Sequence, residues 1–518
     1  MSGIVLGGSP VSIADIAAIA REHAPVAAAP EVAERLVRAR AILDAAAAGG
    51  QPIYGLNTGL GANIGTSVSD GAAGFQQQLV RGRDMGVGAP LAPDIARAVL
   101  AARLSMLAAG GSGISPHLFG DLLRVLNSGL NPLLPSIGSI GAGDLVILAA
   151  LATCLIGDGR AEWNGTVYPS RQAMQLAGLE PIVLGPKDGL SLINASALSA
   201  GHGALVLADA RALLAHQRAA AALSFEAMGG NPAILTPAIQ QARPAAGQVE
   251  EAELLRGMID GSALHGRRPA LQDPLSLRCI PSIHGTLSAA LATAIAAVET
   301  ELNAAGDNPL VLVEEERVLS TGNFHTPAMA LAFETLGLAI AQAALAGAAR
   351  FIQLTGRARN GLPKYLSPVG GASAGFVPLQ KTVTALTGAI RHKANPVMLD
   401  FLAVSEGVED HATQTPLAVS KCAEMLVLWR QLIACEMLAA AQAVDLQPDH
   451  HCGKGTRRVH EFVRSVSAAL GEDRPLGPEV AALGDALAFH RIADDRVAGH
   501  HLAKDRVAKD RLADDRLD

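Results

Sequence analysis

The chain has 518 residues, of which 50% are hydrophobic, 17% are charged and 3% are aromatic. This apolar content excludes a chain that is disordered over its main body. The 41 Lys and Arg residues stand against 48 Asp and Glu residues, which gives a net charge of −7. Without a basic excess to neutralise a phosphate backbone, we expect no nucleic-acid partner.

The cysteines and the first residues of the chain indicate its compartment. The five cysteines show no Cys-x-x-Cys spacing, so we predict no disulfide framework and no metal site, and a reducing cytoplasm. The N-terminal segment lacks a cationic start and meets Asp15 early, unlike a signal peptide. The apolar stretch 189–208 is long enough to span a membrane but carries Asn194 and His202, so we interpret it as a buried segment of a soluble protein.

Ala- and Leu-rich segments with apolar residues at three- and four-residue intervals dominate the chain, which is typical of helices. These segments are 92–108, 119–128, 144–157, 287–303, 328–354 and 416–446. Strand signals are sparse, so the sequence predicts a mainly α protein, a bundle of long helices with a loop-rich N-terminal region. The predicted divisions are a loop-rich helical region over 1–205, a long-helix bundle over 206–480 and a charged, helical or disordered tail over 481–518.

The connections between the helices are rich in Gly, Pro and Asn and hold most of the candidate catalytic residues. In the first, YGLNTGLGAN, three glycines flank Tyr54, one of only three tyrosines in the chain. The glycines predict a sharply bent or mobile loop. Tyr54 is either a lid contact or a general base, and the second role needs nearby positive charge to stabilise the phenolate.

Another glycine-rich connection, SIGSIGAGDL, leads directly into an apolar helix. Its amide groups either bind an anion at the helix start or belong to a tightly packed turn, and the residues alone favour the turn. Asp144 is placed to cap that helix.

Two further connections carry polar side chains in nearly uncharged surroundings. Asn194 lies in GLSLINAS, where a buried amide usually finds backbone partners. In LQDPLSLRC, Gln272 and Arg278 bracket a proline-containing turn. The Arg278 guanidinium either binds a substrate carboxylate with two nitrogens or forms an internal ion pair.

The last turn-rich segments hold the remaining polar candidates. NAAGDNPLV and STGNFHTPA contribute Asn323 and Phe324 among residues that mostly cap the backbone. EGVEDHA places Glu409 beside Asp410 and His411. These three residues are too close along the chain to share one helix face, so a solvated turn is favoured over a metal site.

Taken in this order, the segments from Tyr54 to His411 resemble the aromatic amino-acid ammonia-lyase family, and its histidine ammonia-lyases most of all. YGLNTGLG is similar to the family's tyrosine loop, and GSIGAGDL is similar to its cofactor loop. GLSLIN, QDPLSLRC, GDNPLV, GNFH and the Glu-Asp-His at 409–411 follow at matching intervals. Each match alone is weak, whereas the ordered set is specific.

The resemblance implies roles for the matching residues. Tyr54 would be the base that removes the β-hydrogen, and Arg278 with Asn194 would hold the substrate carboxylate. Glu409 stands where histidine-specific members carry a glutamate that faces the imidazole and the amine. That match favours an imidazole-bearing substrate.

Three other matches complete the implied pocket. Gln272 and Asn323 would support the site electrostatically, and Phe324 would line it. Arg83 stands where the family has a substrate-facing histidine, and Leu275 stands where it has a tyrosine, so we predict a rebuilt pocket. Lys381 adds a cation near the expected site, against the commoner finding of a lysine on a helix surface.

The cofactor loop departs from the family pattern. Family members form a methylidene-imidazolone electrophile from Ala-Ser-Gly within a loop resembling GSVGASGDL. Here the loop is one residue shorter and lacks that serine, and Ser139 is no substitute because Ile140 rather than glycine follows it and would crowd ring closure. We therefore predict no such cofactor. The residues equivalent to the cofactor loop are Gly141, Ala142, Gly143 and Asp144.

The missing electrophile restricts the chemistry. Ammonia is a poor leaving group from an α-amino acid, whereas a trimethylammonium group leaves as a neutral amine. The retained Tyr54, Arg278 and Glu409, with the altered Arg83 and Lys381, resemble ergothionase, a branch of the family that releases trimethylamine from ergothioneine without the cofactor. We predict a cytoplasmic carbon–nitrogen lyase of this type.

The resemblance also implies a homotetramer with active sites shared between subunits, acting on a small amino acid or betaine without a membrane partner. Two alternatives stay open. One is an ordinary histidine ammonia-lyase, and the other is a catalytically inactive family member that serves as a binding protein.

Overall fold

The computed structural model describes residues 3–68, 73–266, 270–356 and 361–489. It divides into two compact units, each built from three stretches of chain. The first unit comprises Met1–Ala210, Ala290–Leu338 and Lys393–Met425, and the second comprises Arg211–Ala289, Ala339–His392 and Leu426–Asp518. Of the charged tail predicted over 481–518, only 481–489 belong to the described residues.

The described residues are mainly α-helical, as the sequence predicts. The helices are α1 (Ile13–Arg21), α2 (Pro30–Ala48), α3 (Ala73–Arg81), α4 (Pro93–Ala108), α5 (Pro116–Ser128), α6 (Leu145–Leu155), α7 (Ser170–Leu176), α8 (Asp188–Ile193), α9 (Ala197–Ala227), α10 (Pro237–Ala242), α11 (Gln248–Met258), α12 (Leu275–Arg278), α13 (Ile280–Leu302), α14 (Pro327–Leu354), α15 (Leu379–Lys393), α16 (Thr415–Asp445), α17 (Lys454–Val466) and α18 (Gly477–Phe489). Short 3₁₀ helices cover Gly61–Asn63, Pro232–Leu235, Ala263–Gly266, Lys364–Leu366 and Ser405–Gly407.

The strands are short and form small two- and three-stranded sheets. They are β1 (Ile4–Leu6), β2 (Val26–Ala28), β3 (Val87–Pro90), β4 (Asn131–Pro132), β5 (Pro135–Ile137), β6 (Arg160–Trp163), β7 (Thr166–Pro169), β8 (Leu310–Leu312) and β9 (Arg317–Leu319). β1 pairs with β2 in parallel, and the other pairs, β3–β5, β4–β6, β6–β7 and β8–β9, are antiparallel.

Local sequence signals set several helix starts. Ser12 and Asp15 form a capping box at α1, in which each side chain bonds the backbone N–H of the other residue. Pro30, Pro93 and Pro116 occupy the first positions of α2, α4 and α5, where a missing N–H is tolerated. The termini of these helices are therefore encoded by adjacent residues.

The stretch 189–208 divides into two helices in the structure. α8 ends before Asn194, and α9 begins at Ala197. By length and composition, three helical segments of the described residues could cross a membrane: Asp188–Ala227, Ile280–Leu302 and Pro327–Leu354. In the first of them the whole apolar window is buried inside the protein, so core packing accounts for its composition.

The second unit contains a buried ion pair. Arg350 and Glu436 are both fully buried, and Arg350 Nε lies 2.6 Å from Glu436 Oε1. Gln217 and Ser224 donate further hydrogen bonds to the same carboxylate, each over 2.9 Å. A buried pair is stable only when its remaining hydrogen-bonding capacity is met, and these donors supply that.

Candidate active site

The tyrosine loop, residues 54–63, packs against a hydrophobic cluster of the first unit. Ile53 and Leu56, which flank Tyr54, are buried in a cluster with residues of α2, β8 and β9. Gly55 and Gly61 have φ angles of +70° and +57°, so the sharp bend predicted from the glycines is present. A Cβ on Gly55 would lie only 2.5 Å from a methyl carbon of Leu190, so this position also requires glycine for close packing.

Tyr54 is half-buried, and its Oη accepts a hydrogen bond of 2.9 Å from the backbone N–H of Gly61. The half-buried Arg83, two residues after α3, lies close enough to interact electrostatically with Tyr54 and Glu409. Burial lowers the pKa of Arg83, and these two neighbours partly offset that effect. A backbone donor and a positive charge near Tyr54 are the surroundings that a phenolate base requires.

The segment that carries Glu409 is an ordered turn beside the tyrosine loop. Val404 and Glu409 form an antiparallel bridge, and Ser405 Oγ donates a 2.6 Å hydrogen bond to Glu409 Oε2. Ser405 lies 4.0 Å from the position that a Cβ on Gly61 would take. The turn is exposed around Glu406, as the sequence predicts, whereas Glu409 itself is half-buried.

The segment 138–145, which was likened to the family's cofactor loop from the sequence, is a tightly packed turn. The backbone N–H of Gln414 donates to Ile140 O over 2.8 Å, and Thr413 Oγ1 donates to Gly141 O over 2.9 Å. Gly141 has a φ of +80°, and a Cβ there would lie 2.4 Å from Thr413 Oγ1. Residues 141–144 are buried, so the loop has little freedom to rearrange.

Asp144 anchors that turn, although not in the predicted way. It occupies the N-cap position of α6, but its side chain makes no capping bond to that helix, so this prediction is wrong. The carboxylate instead accepts from the backbone N–H of Ser199 over 2.9 Å and from Ser139 Oγ over 2.7 Å. Full burial raises the pKa of Asp144 to about 6, against the lowering effect of these hydrogen bonds.

Asn194 and Phe324 lie beside Gly143. A Cβ on Gly143 would be 3.4 Å from Asn194 Oδ1 and 3.8 Å from a ring carbon of Phe324. Asn194 is buried, and its Nδ2 donates to the backbone carbonyl of Asn308 over 2.7 Å, the kind of partner expected from the sequence. Asn323, which precedes Phe324, is exposed.

A buried ion pair supports the Asn194 contact. Arg103 Nη2 lies 2.6 Å from Asp307 Oδ1, and both side chains are at most 2% exposed. Asp307 directly precedes Asn308, whose carbonyl receives the Asn194 amide. This pair was not predicted from the sequence, because Arg103 lies in the middle of an apolar helical pattern far from Asp307 along the chain.

A histidine pair next to the loop was also missed. His325 Nε2 and His411 Nδ1 are 2.8 Å apart, and His325 forms an isolated antiparallel bridge with Ala142. Burial and the neighbouring His411 lower the pKa of His325. Both residues belong to segments that the sequence singles out, GNFH and EGVEDHA. No local pattern, however, predicts a contact between two segments so far apart in the chain.

Gln272, Arg278 and Lys381 belong to the second unit. All three side chains are exposed, Arg278 at the end of α12 and Lys381 near the start of α15. Within the described part of the chain, no carboxylate forms an ion pair with Arg278. The internal ion pair considered as an alternative for Arg278 is therefore absent from these residues. Leu275 is 63% exposed.

Comparison with known proteins identifies the family. The model of the aromatic amino acid lyase family matches residues 11–465. A histidine ammonia-lyase from Treponema denticola is 36% identical over 91% of this chain and 94% of its own length. The crystal structure of ergothionase from Treponema denticola, an ergothioneine-degrading enzyme, superposes with a TM-score of 0.91 at 32% identity, covering 95% of this chain and all of that one. Histidine ammonia-lyase from Trypanosoma cruzi gives a TM-score of 0.87 at 29% identity, over 95% of this chain and 94% of that one. The chain therefore belongs to the aromatic amino acid lyase family and is a carbon–nitrogen lyase.

Proposed function

We propose that this lyase eliminates an amine from an imidazole-bearing α-amino acid or its betaine, without a methylidene-imidazolone electrophile. The favoured reaction is ergothionase-like and releases trimethylamine. One observation carries the proposal: the loop reads Gly141-Ala142-Gly143-Asp144 and lacks the serine of the Ala-Ser-Gly triad. The product would be the corresponding α,β-unsaturated acid.

The residues of the loop do not fit the family's electrophile. Ring formation needs a serine followed by glycine, and the only serine within 138–145 is Ser139, which Ile140 follows. Its hydroxyl donates to Asp144, and the carbonyl of Gly141 is occupied by Thr413. We therefore assign the reaction to groups other than this cofactor.

Elimination without an electrophile depends on the leaving group. In the proposed reaction the Tyr54 phenolate takes the β-hydrogen as a proton, and the electrons of that C–H bond form the α,β double bond. The Cα–N bond breaks, and its electron pair leaves with the nitrogen as neutral trimethylamine. The Gly61 N–H, 2.9 Å from Tyr54 Oη, and the nearby Arg83 guanidinium support this role, since both stabilise negative charge on the oxygen.

The proposed contacts bind both the carboxylate and the imidazole end of an amino-acid betaine. Arg278 and Asn194 would bind the carboxylate, the first through paired N–H donors. Glu409 would face the imidazole and the cationic amine. The remaining assignments are Gln272, Asn323 and Phe324 as supporting residues, with Arg83 and Lys381 as cations of the altered pocket.

A second candidate is the deamination of histidine. It is favoured by the 36% identity to a histidine ammonia-lyase that spans nearly the whole chain. The loop sequence opposes it, because ammonia leaves less readily than a tertiary amine.

The decisive experiment incubates the purified protein separately with ergothioneine and with histidine and follows the absorbance of the conjugated acrylate. We expect turnover of the betaine, with release of trimethylamine measured in parallel. Turnover of histidine alone would favour the second candidate. Turnover of neither substrate, together with binding of the betaine, would indicate a catalytically inactive binding protein.

We also propose that the protein works in the cytoplasm as a homotetramer whose subunits share active sites. Support comes from the family resemblance. Light scattering on the purified protein should give the mass of four chains, and mixing inactive Tyr54 and Arg278 variants should restore activity if the two residues of one site come from different subunits.

A further inference from the structure

Three potential metal ligands, none of them assigned to the proposed active site, meet in the second unit. Glu226 lies on α9, and His450 and Cys452 lie in the connection between α16 and α17. One donor atom from each side chain lies within 4.8 Å of the others, and His450 Nε2 is 3.7 Å from Glu226 Oε2. The spacing of these residues along the chain does not indicate a cluster, and no metal site was predicted from the sequence.

Of these three residues, His450 has the buried polar atoms that lack hydrogen-bond partners. Its side chain is fully buried, yet neither ring nitrogen has a hydrogen-bond partner among the described residues. Leaving a buried polar group unsatisfied costs about 1–3 kcal/mol, so such groups usually have a partner. A cation bound to one ring nitrogen would provide that partner.

Glu226 is already oriented as a ligand. The backbone N–H of Gly453 donates to Oε1 over 3.0 Å, and Thr456 Oγ1 donates to Oε2 over 2.7 Å. A carboxylate has about four lone-pair sites, so the donors Gly453, Thr456 and Ser262 leave capacity for an ion. Although burial favours the neutral acid, the interactions with His450, Ser262, Thr456 and Gly453 hold the pKa of Glu226 below its ordinary value. Donors behind a ligand fix its direction, as they do in known metal sites.

The connection that carries the other two ligands is fixed at several points. The backbone N–H of Ala263 donates to His451 O, and the N–H of Lys454 donates to Asp260 O, both over 2.9 Å. A Cβ on Gly453 would lie 2.6 Å from the backbone of Ile259, so Gly453 packs directly against the C-terminal end of α11. The positions of His450 and Cys452 are therefore set by the fold.

Cys452 provides a soft ligand. The residue as a whole is half-buried, whereas the His450 side chain is fully buried. Burial, with the adjacent Glu226 carboxylate, raises the pKa of the Cys452 thiol to about 12, so the thiol carries its proton in the metal-free protein. An incoming divalent cation would displace that proton to solvent and bind the thiolate.

We propose that Glu226, His450 and Cys452 form a metal site that takes a divalent cation, with Zn²⁺ as the preferred ion. Imidazole nitrogen, thiolate sulfur and carboxylate oxygen together are ligands typical of zinc, with bonds of about 2.0–2.3 Å. Three protein ligands leave a fourth tetrahedral position for water. The ion would tie the α16–α17 connection to α9.

The first test measures metal in the purified full-length protein by mass spectrometry of the elements. After removal of metal with a chelator, we expect Zn²⁺ to rebind at about one ion per chain. Titration of the metal-free protein with Co²⁺ should produce a thiolate-to-cobalt charge-transfer band. Failure to bind either ion would overturn the proposal.

Variants then assign the site. His450→Gln and Cys452→Ser should weaken Zn²⁺ binding by at least about a hundredfold, and Thr456→Val, which removes a donor behind Glu226, should weaken it by about 10–100-fold. The matched controls are His451→Gln on the same connection and Cys279→Ser, another partly exposed cysteine of this unit, and both should bind the ion normally. Unchanged binding in folded Cys452→Ser protein, or a charge-transfer band that persists in it, would contradict the assignment.

Discussion

The hydroxyl of Ser139 donates a hydrogen bond to the carboxylate of Asp144 across 2.7 Å, inside the loop 138–145. The one serine of this loop is therefore engaged, and Ile140 follows it where ring closure would need glycine. We predict that the intact mass of the purified protein equals that of the unmodified sequence. Mass spectrometry of the whole chain and of the peptide containing 138–144 checks this. A loss of two waters in that peptide would show that the electrophile forms after all.

The burial of Asp144 predicts a pH dependence of stability. Its folded pKa of about 6 lies above the ordinary 3.8, so between these pH values the folded state holds more protons than the unfolded state. The stabilisation that protonated Asp144 contributes is therefore fully present below about pH 3.8 and is lost as the pH rises through about 6. Over this range the free energy of unfolding falls by at most about 3 kcal/mol because of this group.

The variant Asp144→Asn stays uncharged and lacks this dependence. We expect the Tm of Asp144→Asn relative to the unaltered protein to increase between about pH 4.5 and 6.5 and to level off above that range. Asp485→Asn, at an exposed aspartate of α18, is the control and should show no such trend. Parallel Tm curves for Asp144→Asn and the unaltered protein would mean that Asp144 is ionised throughout the range.

The sequence predicted the long helices well because their signals are local. The segments 328–354 and 416–446 correspond to α14 and α16 within a residue at each end. The stretch 189–208 was predicted to be buried, but its break at Asn194 was not predicted. An all-apolar environment removes the polar face that normally marks a helix boundary.

The sequence predicted which residues belong to the candidate site but not their arrangement in space. The order of the motifs identified Tyr54, Asn194 and Glu409, whereas the distances between them depend on contacts between segments far apart in the chain. The electrostatic interaction of Arg83 with both Tyr54 and Glu409 is one such contact. Pairs such as His325 and His411 leave no local pattern at all, because each belongs to a different loop.

The role proposed for Tyr54 predicts a large loss of rate on removal of its hydroxyl. Tyr54→Phe keeps the ring on its packed loop, so elimination should fall by about a hundred- to ten-thousandfold with little change in Tm. Tyr168→Phe, at a half-buried tyrosine of β7, is the matched control and should retain the normal rate. An unchanged rate in Tyr54→Phe would assign the base to another residue.

Glu409 should matter for binding of the imidazole end. Glu409→Gln keeps the size of the side chain but removes the charge near Arg83. A hydrogen bond to a charged group contributes about 1.5–3 kcal/mol, so kcat/KM for an imidazole-bearing substrate should fall about 10–100-fold. Steady-state kinetics with the betaine and with its phenyl analogue separate the two ends. An equal loss for both substrates would place Glu409 at the amine rather than at the ring.

Arg278 should bind the substrate carboxylate through two parallel N–H donors, a geometry that a lysine ammonium cannot reproduce. Arg278→Lys should therefore raise KM. It should also lower kcat if this contact orients the β-hydrogen toward Tyr54. The fold should be unaffected, because the side chain is exposed and pairs with no acidic residue of the described chain. Steady-state kinetics and thermal unfolding measured on the same preparation distinguish these effects, with Arg458→Lys on the exposed face of α17 as control. A lowered Tm with unchanged kcat and KM would instead assign Arg278 to the scaffold.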